Sequence, residues 1–483
     1  MQSITQKYLP YIFFLLLISS SSFLSTFNIT ESPPFWYDEG YFHQIAVNLS
    51  RTGDFVIQTA PGEFVRPLLI STGYPLLYPV SVVFTLFGEG VLQARLVMAF
   101  FLVSLVTASF LLSQKLFGFK IGAATGLLIA SFPPLYGHGK SLLGEIPGLF
   151  FLLLFIFFIY KIEQSQYRKG FHYLFAGLAA GLCVSTKPLF ILLLPAFFLA
   201  VILKRKSVVF HWNLIALGII FFLIPVVVWL VTQFDVTSSP LEIFSYYADP
   251  YVVVNFWELA VKNTLRFFTE ASPAYFFSLF LVWTFSLLVR ICLKHTITLA
   301  ESISFLYALF IVFAYLRLEG WYRYFFTANI ITLLFFPHAL FSLLEAVPEK
   351  HTRRARSVFR FAPIVVVASL FFVHAYKLQA DSFVARSYND TKTAELNNYF
   401  RDLNPDKTIF VYDIPQIVAF LPHDRYYQVI LFERKTIGDA QPVLLGIPDM
   451  VVVGANVYEE NNSTFTLYKT RDYVEGMVIL EKI

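Results

Sequence analysis

The chain has 483 residues, of which 57% are hydrophobic and only 14% are charged, and its mean hydropathy is +0.65. A soluble protein would carry about 25% charged residues, so this composition excludes an ordinary soluble domain and predicts many membrane crossings. The net charge of +4 is too small to indicate a nucleic-acid partner, and the two cysteines, Cys183 and Cys292, lie in apolar stretches where neither a disulfide framework nor a zinc site is expected.

Eleven segments are apolar enough to cross a bilayer, for which a helix needs about 20 residues. The predicted spans are 8–27, 91–112, 121–136, 144–160, 171–186, 189–203, 214–232, 275–288, 297–315, 324–344 and 361–376. The fold class that follows is an all-α polytopic membrane protein over residues 1–377, with a further region after it.

The distribution of basic residues predicts the orientation of these spans. With the N-terminus in the cytoplasm, the cytoplasmic loops hold roughly twice as many Lys and Arg residues as the short outer loops, as the positive-inside rule requires. An odd number of spans then puts the C-terminus on the extracytoplasmic side of the plasma or inner membrane. A cleaved signal peptide is the alternative interpretation of the first span, because serines follow its core.

Two outer loops, at 28–90 and 234–273, are long enough to have structure of their own. The first contains an amphipathic stretch at 41–49, which is typical of a helix in the membrane interface. The second carries aromatic residues suited to the depth of the lipid headgroups: Tyr246, Tyr247, Tyr251 and Trp257. The basic loop at 345–357 is interpreted as a cytoplasmic topology anchor.

The last region, 378–483, has a different pattern. Residues 393–403 predict an amphipathic helix, while 407–412 and 449–453 predict strands bounded by turn residues such as Asn404-Pro405-Asp406. A small soluble α/β domain on the extracytoplasmic side is expected, since about 100 residues can bury a modest core.

Three polar clusters lie at the predicted outer boundary, where each charge needs a reason. The first is the acidic pair Asp38-Glu39 among Trp36, Tyr37 and Tyr41, where desolvation and like charge would raise a carboxyl pKa towards that of a general base. A solvated loop is the equal alternative.

The second cluster is Glu145 at the start of the fourth span, where an acid also simply favours a helix N-terminus. The third runs from Arg317 through Glu319 and Arg323 to Tyr324, and its guanidinium groups suit a lipid phosphate. An aromatic belt with snorkelling arginines is the alternative for the third cluster. Lys187, before Pro188, is a less specific basic candidate.

In this order of motifs the chain resembles the GT-C fold glycosyltransferases that use polyprenyl-phosphate sugars, in the group of protein mannosyltransferases and aminoarabinose lipid A transferases. The motifs, over residues 8–345, are Asp38-Glu39, Thr52-Gly53-Asp54, Gly73-Tyr74-Pro75-Leu76-Leu77-Tyr78-Pro79, Leu86-Phe87-Gly88, Arg95, Lys115-Leu116-Phe117-Gly118, Glu145 with Phe150-Phe151, and Arg323-Tyr324. Two departures stand out: the family usually has Asp in place of Glu145, and a common Lys-Pro-Pro is replaced by Ser71-Thr72-Gly73-Tyr74-Pro75.

The resemblance implies transfer of a sugar from a polyprenyl-phosphate donor to an acceptor hydroxyl with inversion. The sugar would belong to the hexose or pentose class, with a mannose-like hexose as one candidate. Asp38 would be the general base, Glu39 and Glu145 would position the acceptor, and Arg317, Arg323, Tyr324 and Lys187 would bind the donor phosphate. The partners implied are the lipid-linked donor, membrane lipids, and a protein, lipid or glycan acceptor. A divalent cation on Asp38 and Glu145 stays open, since paired carboxylates can bind one.

Two functional alternatives stay open on the sequence alone. A polymerase or ligase of lipid-linked glycans would share the outward-facing site, but the acidic pair directly after the first span favours the transferase. A secondary transporter would show pseudo-symmetric halves and ionisable residues in mid-span, and the sequence shows neither pattern.

Overall fold

The computed structural model describes residues 4–67, 71–206, 208–209, 211–234, 255–318, 320–346, 353–421, 424–429 and 448–483. Over residues 4–379 the described chain is mainly helical. In chain order the helices are α1 Ile4–Thr26, α2 Tyr37–Thr52, α3 Tyr74–Phe87, α4 Val91–Phe117, α5 Phe119–Ala130, α6 Pro133–His138, α7 Glu145–Gln164, α8 Gly170–Thr186, a 3-10 turn Pro188–Leu192, α9 Leu193–Leu203, α10 Trp212–Gln233, α11 Phe256–Thr269, α12 Ala271–Cys292, α13 Leu299–Arg317, α14 Tyr322–Glu345 and α15 Arg353–Gln379.

Within the described residues, eight helices are long and apolar enough to cross a membrane. They correspond to the predicted spans that begin at residues 8, 91, 144, 214, 275, 297, 324 and 361. The other three predicted spans are shorter apolar helices: α5, α8, and the 3-10 turn with α9. The polytopic helical fold is confirmed.

The predicted span at 121–136 is two helices rather than one. Helix α5 ends at Ala130, and α6 starts at Pro133. Two consecutive prolines, Pro133 and Pro134, explain the break, because proline has no N–H to continue a helix but suits its first turn. The break precedes a segment that contains His138, Lys140 and Glu145.

Helices α7, α8 and α10 pack side by side. Gly177 and Gly181 bring α8 so close to α10 that a Cβ at either position would overlap the backbone of Gly218 or Phe222. Small residues four apart allow this approach in membranes, where packing rather than water exclusion drives helix association. The close packing fixes the end of α8, and with it Lys187.

The first predicted outer loop, at 28–90, contains α2, a short antiparallel ribbon of β1 Ile57–Ala60 and β2 Glu63–Val65, and α3. The predicted helix at 41–49 is therefore confirmed and extends further at both ends. It packs on α3 on one side and on the C-terminal region on the other, so most of its length is buried instead of facing lipid. In the second outer loop, Tyr246, Tyr247 and Tyr251 lie outside the described residues, while Trp257 is exposed on α11.

The C-terminal region contains helices α16 Phe383–Ser387, α17 Lys392–Arg401 and α18 Ala455–Asn461, 3-10 turns Pro415–Phe420 and Asn462–Phe465, and strands β3 Ile409–Tyr412, β4 Tyr426–Val429, β5 Met450–Gly454, β6 Tyr468–Val474 and β7 Met477–Lys482. The strand order is β4-β3-β5-β7-β6, in which β3 is parallel to both of its neighbours and β7 is antiparallel to both of its own. The predicted α/β character is confirmed.

The C-terminal sheet is docked on the first outer loop. Phe35 of that loop belongs to the core under the sheet and packs edge-on against Phe420, with ring centroids 5.4 Å apart. Glu31 accepts hydrogen bonds from the backbone N–H groups of Thr393 and Ala394 at the start of α17. The chain segment that carries the acidic pair is thus held between the helical bundle and the C-terminal sheet.

Candidate active site

The acidic pair lies in the first turn of α2, where the helix dipole favours negative charge. Because adjacent residues on a helix point about 100° apart, Asp38 and Glu39 face different surroundings.

Glu39 faces the interior. Its carboxylate makes a two-pronged ion pair with Arg95 of α4, at 2.8 Å from Nε to Oε1 and 2.7 Å from Nη2 to Oε2, and both side chains are fully buried. Leu142 N also donates to Oε1 at 3.2 Å. Arg95 donates further to the backbone carbonyls of Ile29 and Pro33. Glu39 therefore ties the predicted outer loop at 28–90 to α4, and its carboxylate is fully buried.

Asp38 faces a partly open site. Its Oδ2 is ion-paired with Nη1 of Arg323, in the first turn of α14, and the two side chains are 27% and 15% exposed. The guanidinium of Arg323 lies over three rings, 4.7 Å from the centroid of Trp321, 5.5 Å from Tyr324 and 5.9 Å from Trp36. Such cation–π contacts hold the guanidinium plane in place.

One hydrogen-bond donor of this guanidinium is not used. Nε of Arg323 is buried, and none of the described residues accepts a hydrogen bond from it. An unpaired buried N–H on a cation costs free energy, commonly about 1–3 kcal/mol, unless a ligand or water satisfies it. Nε and Nη1 are separate donors of the same guanidinium, so Nε can donate to a further acceptor while Nη1 stays paired with Asp38.

A second ion pair lies deeper. Glu145, at the start of α7, is bound through Oε1 to Nζ of Lys187, which follows α8, and both side chains are more than nine-tenths buried. Oε2 of Glu145 is buried without a hydrogen-bond partner among the described residues. Thr72 lies close to Gly144 in the same region, and its hydroxyl is likewise unpartnered within the described structure.

His138 is buried close to charged residues of both ion pairs. Its ring stacks on Tyr322, with centroids 5.5 Å apart, and it is within electrostatic range of Glu145, Lys187 and Arg323. Burial lowers the pKa of His138 to about 4, although the carboxylate of Glu145 opposes the shift. The ring is therefore neutral at pH 7. The charged groups of the site are then two carboxylates, Asp38 and Glu145, and two cations, Arg323 and Lys187.

The structure brings together most of the residues predicted from the sequence. Asp38, Arg323 and Tyr324 form one cluster, and Glu145 with Lys187 forms a second one within electrostatic range of Arg323. Arg317 is exposed at the end of α13, and no hydrogen bond or ion pair joins it to the other described site residues. Glu319 lies outside the described residues.

The carboxylates proposed for a divalent cation do not present a metal site here. Asp38 and Glu145 are each paired with a basic side chain, and no group of three or more His, Cys, Asp or Glu residues in the described part of the chain is placed to hold an ion. A hard cation needs several oxygen ligands, and these two acids offer few free ones.

Sequence reasoning missed three residues that shape the site. The residues predicted for the site include neither His138 nor Asp413 of the C-terminal region, and Arg95 is predicted only as a motif residue. Asp413 accepts a hydrogen bond from the hydroxyl of Tyr37, beside Asp38. A usable signal existed for Asp413, because it directly follows the apolar strand β3, and ligand-contacting residues gather at the carboxyl ends of parallel strands.

Comparison with known proteins agrees with this architecture. Residues 75–230 match the family model of dolichyl-phosphate-mannose-protein mannosyltransferases. The crystal structure of ArnT from Cupriavidus metallidurans bound to undecaprenyl phosphate is similar, with a TM-score of 0.64 and 15% sequence identity over 100% of this chain and 99% of that one. The apo oligosaccharyltransferase of Archaeoglobus fulgidus is also similar, with a TM-score of 0.60 and 12% identity over 94% of this chain and 70% of that one.

No curated protein matches the sequence significantly. The resemblance inferred from the motifs is nonetheless confirmed at the level of fold. The chain has the GT-C fold of membrane glycosyltransferases, and its segment 75–230 matches the dolichyl-phosphate-mannose-protein mannosyltransferase family.

Proposed function

We propose that this chain is an integral membrane glycosyltransferase that moves a sugar from a polyprenyl-phosphate donor to an acceptor hydroxyl, with inversion at the anomeric carbon. The observation that carries the proposal is the pair of Asp38 and Arg323, in which the Nε of Arg323 is buried and has no acceptor among the described residues. This pair places a carboxylate that can accept a proton next to a guanidinium that can donate a hydrogen bond to a phosphate. The match to mannosyltransferases and the undecaprenyl phosphate held by the similar ArnT structure support the same chemistry.

The donor phosphate would bind to Arg323. The Nε–H of Arg323 would donate a hydrogen bond to a phosphate oxygen, while Trp321 and Tyr324 keep the guanidinium plane oriented. Guanidinium groups suit phosphate because they offer parallel N–H donors with fixed geometry. Arg317, which is exposed at the end of α13, would attract the anionic headgroup as it enters the site. Lys187, which is paired with Glu145, would add positive charge to the site.

In the transfer step the acceptor hydroxyl attacks the anomeric carbon from the side opposite the phosphate, which inverts the configuration. Asp38 takes the hydroxyl proton as the new C–O bond forms. The bond between the anomeric carbon and the phosphate oxygen breaks, and its electron pair leaves with the lipid phosphate. Arg323 balances the charge that develops there, and such preorganised electrostatic stabilisation is commonly the largest part of catalysis.

Glu145 would position a hydroxyl of the sugar or the acceptor. Its Oε2 is buried and unpartnered among the described residues, so it can accept a hydrogen bond that nothing in the described chain supplies. Glu39 has no such role in this proposal, because Arg95 and Leu142 use its carboxylate.

The reaction is proposed for the extracytoplasmic face of the plasma or inner membrane. The excess of basic residues in the loops assigned to the cytoplasm supports this orientation. We propose residues 1–377 as the transferase domain and 378–483 as an extracytoplasmic domain. The sugar would be a hexose or a pentose, with a mannose-like hexose as one candidate, and the acceptor would be a protein, lipid or glycan hydroxyl.

A binding measurement with the lipid phosphate tests directly whether Arg323 binds the donor phosphate. Undecaprenyl phosphate is titrated into the purified full-length protein in detergent, and tryptophan fluorescence is read because Trp36 and Trp321 flank Arg323. Arg323→Ala should weaken binding by about tenfold or more, as expected for a lost charged hydrogen bond of about 1.5–3 kcal/mol. Arg51→Ala, which changes an exposed arginine at the far end of α2, is the matched control. Equal affinity of wild type and Arg323→Ala would contradict the proposed phosphate site.

A further inference from the structure

The C-terminal sheet contributes one acidic side chain to the neighbourhood of Asp38. Asp413 follows β3 directly and has a positive φ of 51°, while its N–H donates to Val429 O at 3.0 Å. Strand β3 lies between the parallel strands β4 and β5, so Asp413 is at the carboxyl edge of the parallel part of the sheet. This edge faces the start of α2.

Two tyrosines of α2 connect Asp413 with the start of the helix that carries the acidic pair. Tyr37 OH donates a hydrogen bond to Oδ1 of Asp413, and Tyr41 OH donates to Tyr37 OH at 3.1 Å. Burial, together with the charge of Asp413, raises the pKa of Tyr37, and burial raises that of Tyr41 as well. Both hydroxyls therefore stay protonated at physiological pH and can donate in this chain.

The backbones are also in close contact at this point. A Cβ at Gly40 would overlap the backbone of Gln416, three residues after Asp413. The first turn of α2 is thus held by the C-terminal region through Tyr37 and Gly40, and by the helical bundle through Glu39 and Arg95. Asp38 belongs to the same turn and faces Arg323.

We propose that Asp413 is a positioning residue for the transfer reaction. Through Tyr37 it holds the first turn of α2, so that the Asp38 carboxylate stays within hydrogen-bond distance of Arg323 and of the acceptor. This inference rests on the proposed function. A general base must stay within hydrogen-bond reach of the proton it takes, and a displacement of about 1 Å commonly costs about 100-fold in rate. The C-terminal domain is therefore part of the catalytic geometry.

A second contact between the same helix and the same sheet provides a matched control. At the other end of α2, Arg51 Nη1 is 2.9 Å from Oδ1 of Asp424, just before β4. Asp424 and Asp413 both tie α2 to the sheet, but only Asp413 acts at the turn that carries Asp38. If both aspartates served only to dock the sheet on α2, replacing either one would have the same effect on the transfer rate.

The test compares Asp413→Ala, Asp413→Asn and Asp424→Ala in the full-length protein. The steady-state kcat and the donor KM are measured, together with hydrogen–deuterium exchange of the segment 34–42. We expect Asp413→Ala to lower kcat by about tenfold or more with little change in donor KM, and to speed exchange in this segment. Asp413→Asn retains a side-chain oxygen acceptor for Tyr37 and should restore most of the rate, whereas Asp424→Ala should affect neither measurement.

Two results would overturn the inference: an unchanged kcat and exchange rate in Asp413→Ala, or an equal loss in Asp424→Ala. The exchange measurement needs no substrate. If the wild type transfers no sugar from any donor, the proposed function fails, while the comparison of exchange rates still decides whether Asp413 holds the first turn of α2.

Discussion

Asp38 and Glu39 are adjacent on α2, yet each is paired with a different arginine: Asp38 with the partly accessible Arg323 and Glu39 with the fully buried Arg95. The helix sends one carboxylate into the site and the other into the protein. The acidic pair therefore combines one group available for chemistry with one group that fixes the structure around it.

Replacing each acid should separate these two roles. Glu39→Ala leaves Arg95 buried without its partner, which commonly costs about 3–5 kcal/mol, and the thermal unfolding midpoint in detergent should fall sharply. Asp38→Asn retains the size of the side chain at a partly exposed position, so its midpoint should stay close to that of the wild type. Comparable losses in the two variants would show that Asp38 is also structural.

Arg323→Lys should weaken donor use without unfolding the protein. Lysine retains the charge and can pair with Asp38, but it has no Nε–H beside its terminal nitrogen and no planar group to lie over Trp321 and Tyr324. We expect the donor KM to rise by about tenfold, corresponding to about 1.4 kcal/mol. An unchanged KM would mean that charge alone is sufficient for phosphate binding.

The pair of Glu145 and Lys187 allows a double-substitution test. Lys187→Met alone leaves a buried carboxylate uncompensated and should destabilise the protein by about 3–5 kcal/mol. Adding Glu145→Gln removes that charge, so the double variant should recover most of the thermal stability while transfer stays impaired. Full transfer activity in a stable double variant would assign the pair a purely structural role.

Lys140 should make the stability depend on pH. Burial, with a smaller contribution from Arg95, lowers the pKa of Lys140 to about 7, and its Nζ donates to Phe27 O at 2.7 Å. Because this pKa is lower in the folded protein than in the unfolded chain, the unfolded state binds more protons between pH 7 and pH 10, and stability rises with pH in that window. The unfolding midpoint should therefore increase from pH 7 to pH 9 in the wild type, and the increase should be smaller in Lys140→Met. Equal pH dependence of the two proteins would contradict this assignment.

Much of the helical architecture is predictable from hydropathy, because every backbone polar group in a membrane must be satisfied within a helix. The boundary at Pro133 was missed because the apolar pattern continues through the break. In the C-terminal region the strands near 409 and 450 were predicted, but β4, β6 and β7 were not. The last two form a hairpin around Glu475 and Gly476, both with positive φ, a turn signal that the sequence carried.

The identities of the site residues were partly predictable, but their partners were not. Asp38 and Arg323 are 285 residues apart in the chain, and nothing local indicates that they meet. Likewise, nothing in the sequence indicates that Asp38 and Glu39 have different roles. The packing of α4 against the predicted outer loop buries Glu39 and leaves Asp38 partly exposed. Asp413 depends on the docking of a separate sheet, which no single pattern encodes.

The most direct test of the account is the transfer of labelled sugar from a panel of polyprenyl-phosphate sugars, in detergent micelles, to acceptors from a total membrane extract. Wild type and Asp38→Asn are compared at equal amounts of folded protein. We expect turnover by the wild type with at least one donor and a loss of about 100-fold or more in Asp38→Asn, as for removal of a general base. Equal turnover by both proteins would contradict the role of Asp38, and the absence of turnover with every donor would contradict the proposed transferase function.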